Sequence, residues 1–161
     1  MFKKLLATGA GALLALSIGA AGAYFTAQVQ VPENVIKAGE VAISTEPTSA
    51  ALSVDSLAPG TVTVRPLSVK NAGNLSTDVV ITASKKAGIT DLYNALTCRV
   101  TCGGAELANG PLSTMKTTPL RLAPGAEGDF RFEIGLPADI GNDLAGDYSK
   151  ISLYIDGEQA H

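Results

Sequence analysis

The sequence of 161 residues has no tryptophan, two cysteines and a single histidine, His161, which is its last residue. Zinc hydrolases need several histidine or carboxylate ligands in a fixed geometry, and a serine or cysteine nucleophile generally needs an adjacent base. Neither set is recognisable, and no Gly-Lys-Ser/Thr phosphate loop occurs. The sequence therefore predicts no catalytic residue, no metal site and no cofactor. One small group could offer oxygen ligands to calcium, although an ordinary solvated loop explains it more simply: Asp139, Asn142, Asp143 and Asp147.

Basic residues are also scarce. The chain has 12 Lys and Arg against 15 Asp and Glu, a net charge of −3. Two of the lysines lie in the first four residues, and without them the net charge is −5. Nucleic-acid binding depends on the neutralisation of phosphates by Lys and Arg, so this composition predicts no nucleic-acid partner.

The first 23 residues are predicted to be an export signal. Two lysines are followed by an uncharged apolar stretch up to Ala20, and Ala21-Gly22-Ala23 fits an A-x-A cleavage site. We expect a signal peptidase to cleave between Ala23 and Tyr24. An uncleaved membrane anchor is the alternative, because about 20 apolar residues can span a bilayer. The glycines and the A-x-A site favour cleavage.

A permanent anchor is not predicted elsewhere. No cysteine lies near the cleavage site, so a lipid attachment is not expected. The C-terminal residues contain no sortase-like signal and no second apolar stretch. We therefore expect a secreted protein that is located in the extracellular matrix or at the cell surface.

The rest of the chain has the pattern of an antiparallel β-sandwich. Short alternating segments are separated by turns that use many of the 17 glycines and 8 prolines. Their spacing predicts about eight or nine strands over residues 39–161, in a jelly-roll or Ig-like arrangement. One short helix is predicted from Thr90 to Leu96, with Thr90 as its N-cap. Strand signals occur in the segments 40–44, 51–54, 62–64, 67–69, 79–81, 97–102, 105–107, 120–122, 130–134 and 148–155.

The two cysteines are Cys98 and Cys102, both in one predicted strand. An oxidising compartment makes a disulfide between them plausible. Residues four apart on a regular strand are separated by about 13 Å, whereas bridged Cα atoms lie within about 7 Å. A bridge would therefore require a bulge or a tight turn at residues 99–101.

Residues 24–38 form a separate N-terminal extended segment. Four apolar residues alternate with polar ones before Pro32 interrupts the pattern, and they share one face: Phe25, Ala27, Val29 and Val31. Two interpretations follow. The segment is either the first strand of its own sandwich or a strand donated to a neighbouring subunit, the mode called β-augmentation.

Several short motifs occur in a consistent order along most of the chain. They are Ala23-Tyr24-Phe25 at the signal junction, the segments 36–41, 57–60 and 69–75, residues 91–96 before a strand, residues 141–146, and Glu158-Gln159 at the end of the last strand. Together they resemble the TasA/camelysin family of bacterial biofilm-matrix proteins. The resemblance implies a jelly-roll-like sandwich, processing by a dedicated signal peptidase and assembly into extracellular fibres.

The resemblance leads to one expected function and two alternatives. We expect a structural subunit of biofilm-matrix fibres that binds further copies of itself head to tail, and other matrix proteins are candidate partners. Some members of the family are described as metallopeptidases, although this sequence has no recognisable zinc-binding set. The third candidate is a monomeric Ig-like adhesion module.

Overall fold

The structure, a computed structural model, describes residues 26–31, 41–46, 52–55, 57–144 and 146–161. The predicted signal peptide, its cleavage site and Phe25 lie outside these residues. Ten strands and one short helix, α1 (Thr90–Ala95), occur in the described part of the chain. The strands are β1 (Thr26–Val31), β2 (Ile43–Glu46), β3 (Leu52–Asp55), β4 (Val62–Asn71), β5 (Thr77–Gly88), β6 (Thr97–Cys102), β7 (Ala105–Pro111), β8 (Leu120–Leu122), β9 (Glu127–Gly135) and β10 (Tyr148–Gln159).

The strands form two antiparallel sheets of five strands each. Sheet I has the order β1-β10-β5-β8, and β3 also pairs with β10. Sheet II has the order β2-β4-β9-β6-β7. Alternate residues are buried along much of β2, β5, β6 and β9, as expected when each sheet packs one face against the other. The predicted all-β sandwich with one short helix is confirmed.

A single hydrophobic core lies between the sheets. Sheet II supplies its two buried phenylalanines, Phe130 and Phe132, and sheet I supplies mainly branched aliphatic residues. Leu92 and Leu96 from the α1 region close the core at one end. Because the chain has no tryptophan, it fills the core mainly with residues that suit strands. The remaining fully buried apolar residues include Val41, Ile43, Val69, Val79, Ile81, Val100, Leu112, Ile134, Ile151 and Ile155.

One long edge of the sandwich, which we call the sealed side, is formed by β7, β8 and residues 112–122. Thr117 accepts a hydrogen bond from the Ile81 N–H through its Oγ1 (2.9 Å) and donates its own N–H to the Ile81 carbonyl (3.0 Å). The next residue, Thr118, donates its N–H to the Leu107 carbonyl of β7 (2.8 Å). Two adjacent residues thus connect the two sheets. The opposite edge, the N-terminal side, is formed by β1, β2 and β3.

Two local predictions differ from the structure. The segments 62–64 and 67–69 are one strand, β4, which runs through Pro66. Since β2 pairs only with residues 68–71, no described strand requires an N–H from Pro66 on that side. The helix N-cap is Ile89, whose backbone is extended, and Thr90 is the first helical residue, with its Oγ1 accepting a hydrogen bond from Lys85 Nζ at 2.7 Å. The predicted Thr90 cap is therefore wrong.

Candidate functional site

The candidate site is one edge of β10, the longest strand of sheet I together with β5. Along its other edge, β10 pairs with β5 from Ser149 to Gln159. Any other strand that pairs with β10 must therefore pair along the candidate edge. Two strands share it end to end: β1 opposite residues 153–158 and β3 opposite residues 148–151.

The register of β1 agrees with the alternation seen in the sequence. Three of its predicted face residues lie opposite buried residues of β10: Ala27 opposite Gly157, Val29 opposite Ile155, and Val31 opposite Leu153. Gln28 and Gln30 lie opposite Asp156 and Tyr154, which are partly exposed. Paired residues of neighbouring strands share a face of the sheet, so this register places positions 27, 29 and 31 on the same face as Gly157, Ile155 and Leu153.

Gly157 gives this edge its close contact with sheet II. A Cβ atom at this position would overlap the Cδ1 methyl of Ile43 and lie 3.0 Å from Cγ2 of Thr77. Ile43, the first residue of β2, is completely buried. The absence of a side chain at Gly157 therefore allows β2 to pack directly on β10, beside the ladder that β1 forms.

The disulfide that the sequence left open is absent from the structure, where the thiols of Cys98 and Cys102 are both free. A bulge is present, but the extra residue is Leu107 of β7, opposite the Val100/Thr101 step of β6. Strand β6 itself pairs without a break with β9 over all six of its residues, so Cys98 and Cys102 stay at strand spacing. Burial raises the pKa of the Cys98 thiol to about 12 and also raises that of Cys102. Both environments favour the neutral thiol over a reactive thiolate.

The surroundings of the single histidine do not suit a metal centre. The nearby carboxylate of Asp78 accepts two hydrogen bonds from Arg121, each 2.9 Å long, and Arg121 also donates to the carbonyl oxygen of His161. The hydrogen bond from Arg121 lowers the pKa of Asp78. A guanidinium therefore occupies the position that a cation would take. Within the described ranges, no three His, Cys, Asp or Glu residues group closely enough to hold a metal ion.

Comparisons with known proteins identify the family. The family model described as "Camelysin metallo-endopeptidase" matches residues 1–95. The chain belongs to the TasA/camelysin family. The resemblance that the sequence motifs indicate is thus confirmed, and the match includes the N-terminal segment, β1, β3, β4 and β5. No curated protein has significant sequence similarity to this family member.

A solved structure is also similar to this family member. "Crystal Structure of FLHE" is 13% identical, with 86% of this chain and 98% of that chain covered, at a TM-score of 0.44. Among the described residues, no helix is long and apolar enough to cross a membrane.

The sequence did not indicate two features of this region: the pairing of β1 with β10, and the burial of one polar residue, Asn71. The alternation of Ile151, Leu153 and Ile155 indicates the core face of β10, but no local pattern identifies the strand that pairs with its edge. Asn71, which follows the predicted strand segment 67–69, is completely buried. Its side-chain amide donates to the carbonyls of Leu75 (2.7 Å) and Leu122 (3.0 Å). An asparagine directly after an alternating strand is the only signal that could have indicated this role.

Proposed function

We propose that this chain is a secreted structural subunit of extracellular biofilm-matrix fibres. In this proposal, copies polymerise head to tail because the N-terminal strand of one copy completes the sheet of the next. The observation that supports it best is the six-residue ladder between β1 and an edge of β10, with apolar positions opposite buried residues. Membership of the TasA/camelysin family supports an extracellular location.

The structure shows β1 on β10 of its own chain, and the same ladder serves between copies if the strand is exchanged. A strand that leaves one sandwich exposes an edge, and an identical strand from another copy restores its hydrogen bonds and apolar contacts. Such a contact is heterologous and does not close on itself, so repetition produces a filament. The 15 residues from Tyr24 to Ala38 extend about 50 Å at roughly 3.3 Å per residue, which is long enough to reach a neighbour.

Export would control the timing of this exchange. Before cleavage, the strand is joined to the predicted signal peptide and is held at the membrane. Cleavage between Ala23 and Tyr24 would release a free N-terminus immediately before β1. Mass spectrometry of the secreted protein should then show a chain that begins with Tyr24, and recovery of intact residues 1–23 in the membrane fraction would refute the predicted cleavage.

The test of the fibre proposal is electron microscopy of mature protein with and without the donor strand. Deletion of Tyr24 to Val31 should leave a folded monomer that forms no fibres. Val29→Asp should act in the same way, since it places a charge opposite buried Ile155, whereas Gln30→Asp is the matched control and should still assemble. Normal polymerisation of the deletion variant would disprove donation, and a deletion variant that cannot fold would make β1 a fixed first strand of its own domain.

The description of the family model favours a metallo-endopeptidase as a second candidate. The residues that the structure describes do not fit a zinc centre, because His161 lies beside a carboxylate that already binds Arg121. We therefore expect no metal-dependent proteolysis. The test is metal analysis of pure protein together with casein cleavage, and stoichiometric zinc with chelator-sensitive cleavage would overturn this expectation.

A further inference from the structure

We propose that β3 is a register stop for the donated strand, an inference that rests on the proposed strand exchange. The observation is the end-to-end arrangement of two strands on one edge of β10. The ladder of β1 ends where Val31 lies opposite Leu153, and the ladder of β3 begins where Leu52 lies opposite Ile151. Only Ser152 separates the two ladders along β10.

This arrangement leaves the incoming strand no room to move toward β3. A slip of one residue would place its apolar residues on the wrong face of the sheet. A slip of two residues keeps the faces but places Val31 opposite Ile151, whose edge already pairs with Leu52. Because β3 belongs to the receiving domain, it occupies these positions before the donated strand arrives.

A slip in the opposite direction is not blocked in the same way. Leu153 would lose its partner, and the first residue of the donated strand would move beyond Gln159, where β10 ends. The cost is the loss of ladder hydrogen bonds rather than a collision with another strand. Moreover, Pro32 follows Val31 in the sequence and has no N–H with which to extend the ladder toward β3. The site therefore predicts an asymmetric register error, with slips away from β3 more frequent than slips toward it.

Cross-linking between separately prepared chains tests this inference. One chain carries Gln28→Cys, and its partner carries Asp156→Cys, Tyr154→Cys or Glu158→Cys; both also carry Cys102→Ser. Position 156 reports the observed register, position 154 reports a slip of two residues toward β3, and position 158 reports a slip away from it. We expect cross-linking at 156 to exceed that at 158 by at least about tenfold, because a slip of two residues loses about two ladder hydrogen bonds and each costs a factor of about five. Cross-linking at 154 should be the weakest of the three.

A change in β3 provides the second arm. Ser53→Pro with Val54→Pro in the receiving chain should prevent β3 from pairing with β10, since prolines remove ladder donors. We then expect the yield at 154 to rise until it equals or exceeds the yield at 158, while 156 remains the main product. Circular dichroism and the cross-linking yield at 156 show whether this variant is folded. If it is not folded, the register stop is tested by comparing the yields at 154 and 158 in the domain with unaltered β3.

The outcomes separate this inference from the proposed function. If no cross-link forms between the two kinds of chain at any position, strand exchange itself is wrong. If cross-links form but the yield at 154 equals that at 158 while β3 is intact, strand exchange stands and the register stop is wrong. The same conclusion holds if a folded proline variant leaves the yield at 154 unchanged.

Discussion

The two long edges of this sandwich are closed in different ways. On the sealed side, the continuous segment of residues 112–122 runs alongside β5, with which it forms hydrogen bonds, and it also bonds to β7. Hydrogen bonds hold this segment to both sheets, because Thr117 bonds to Ile81 of sheet I and Thr118 bonds to Leu107 of sheet II. On the N-terminal side, three strands of four to six residues close the edge, and β1 and β3 each pair with β10 alone. The close contact between sheets there is the packing of Ile43 on Gly157.

The difference indicates which edge can open. Short edge strands with one neighbour separate at a lower free-energy cost than a segment bonded to two sheets, since local opening follows the number of bonds and contacts that must be broken. Strand exchange requires that the N-terminal side open while the rest of the domain stays folded. Changes on the sealed side should therefore lower global stability without preventing assembly, and changes on the N-terminal side should alter assembly.

The largest loss of stability is expected from Asn71→Ala. Asn71 donates to the carbonyls of Leu75 and Leu122, and its Oδ1 accepts from the N–H of Gly73 at 3.0 Å. Loss of these bonds leaves several largely buried groups unpaired, at about 1 kcal/mol or more each and ~3 kcal/mol in total. Denaturant unfolding measures the effect. Asn74→Ala, an exposed residue of the same turn, is the control, and an equal loss in both variants would contradict the assigned role.

The next effect concerns the N-terminal side, through Gly157→Val. The new side chain would compete with Ile43 for space and separate β2 from β10, which we expect to cost about 1–3 kcal/mol as overpacking of a core. Gly141→Val is the control, since the nearest atom to its added Cβ would be Asp143 Oδ2 at 3.9 Å. We also expect Ile43→Ala to recover part of the loss in the double variant. If the two changes add without any recovery, they do not interact at this position.

Prediction from the sequence succeeded where a local pattern determines the structure. The strict alternation of Phe130 to Ile134 indicated a strand and its buried face, and that of residues 27 to 31 indicated a strand, because a side-chain period of two is a local property. Strand partners are not local: nothing in the residues 26–31 indicates that their neighbour is β10. The possible disulfide is absent for a related reason, since the bulge that could have brought Cys98 and Cys102 together formed in β7. Thr90 is not the cap because the helix begins one residue earlier than the sequence indicated, with Thr90 already helical and Ile89 extended.

A smaller loss is expected on the sealed side from Thr117→Val. The substitution keeps the shape of the side chain but removes the acceptor for the buried Ile81 N–H, at a cost of about 1–2 kcal/mol. Thr117→Ser keeps the hydroxyl and should recover most of that stability. Thr118→Val changes an exposed neighbour and should be close to neutral. Thermal or denaturant unfolding measures all three, and fibre formation by the folded Thr117→Val protein would support the division between the two sides.

The smallest loss of stability is expected at acidic pH, and it should arise on the sealed side. The ion pair of Asp78 with Arg121 joins β5 to β8, and the hydrogen bond from Arg121 lowers the pKa of Asp78 in the folded protein. A carboxyl whose pKa is lower when folded stabilises the fold above its unfolded value of about 4, and this contribution is lost as the pH falls through the folded pKa. Both side chains are partly exposed, so water and salt weaken the pair.

Unfolding of wild type and of Asp78→Asn should therefore be compared at pH 7 and pH 3. The variant should be slightly less stable at pH 7, and the difference should shrink at pH 3, because that pH lies below the unfolded pKa and the contribution of the carboxylate is being lost. Asp139→Asn removes an exposed loop carboxylate and should show a smaller change of this kind. Because β1 lies on the far edge of sheet I from this pair, the yield of the Gln28–Asp156 cross-link between copies should not respond to Asp78→Asn at pH 7. A large change in that yield would mean that the two edges of the sandwich are coupled, and the sealed side would then be part of the assembly mechanism.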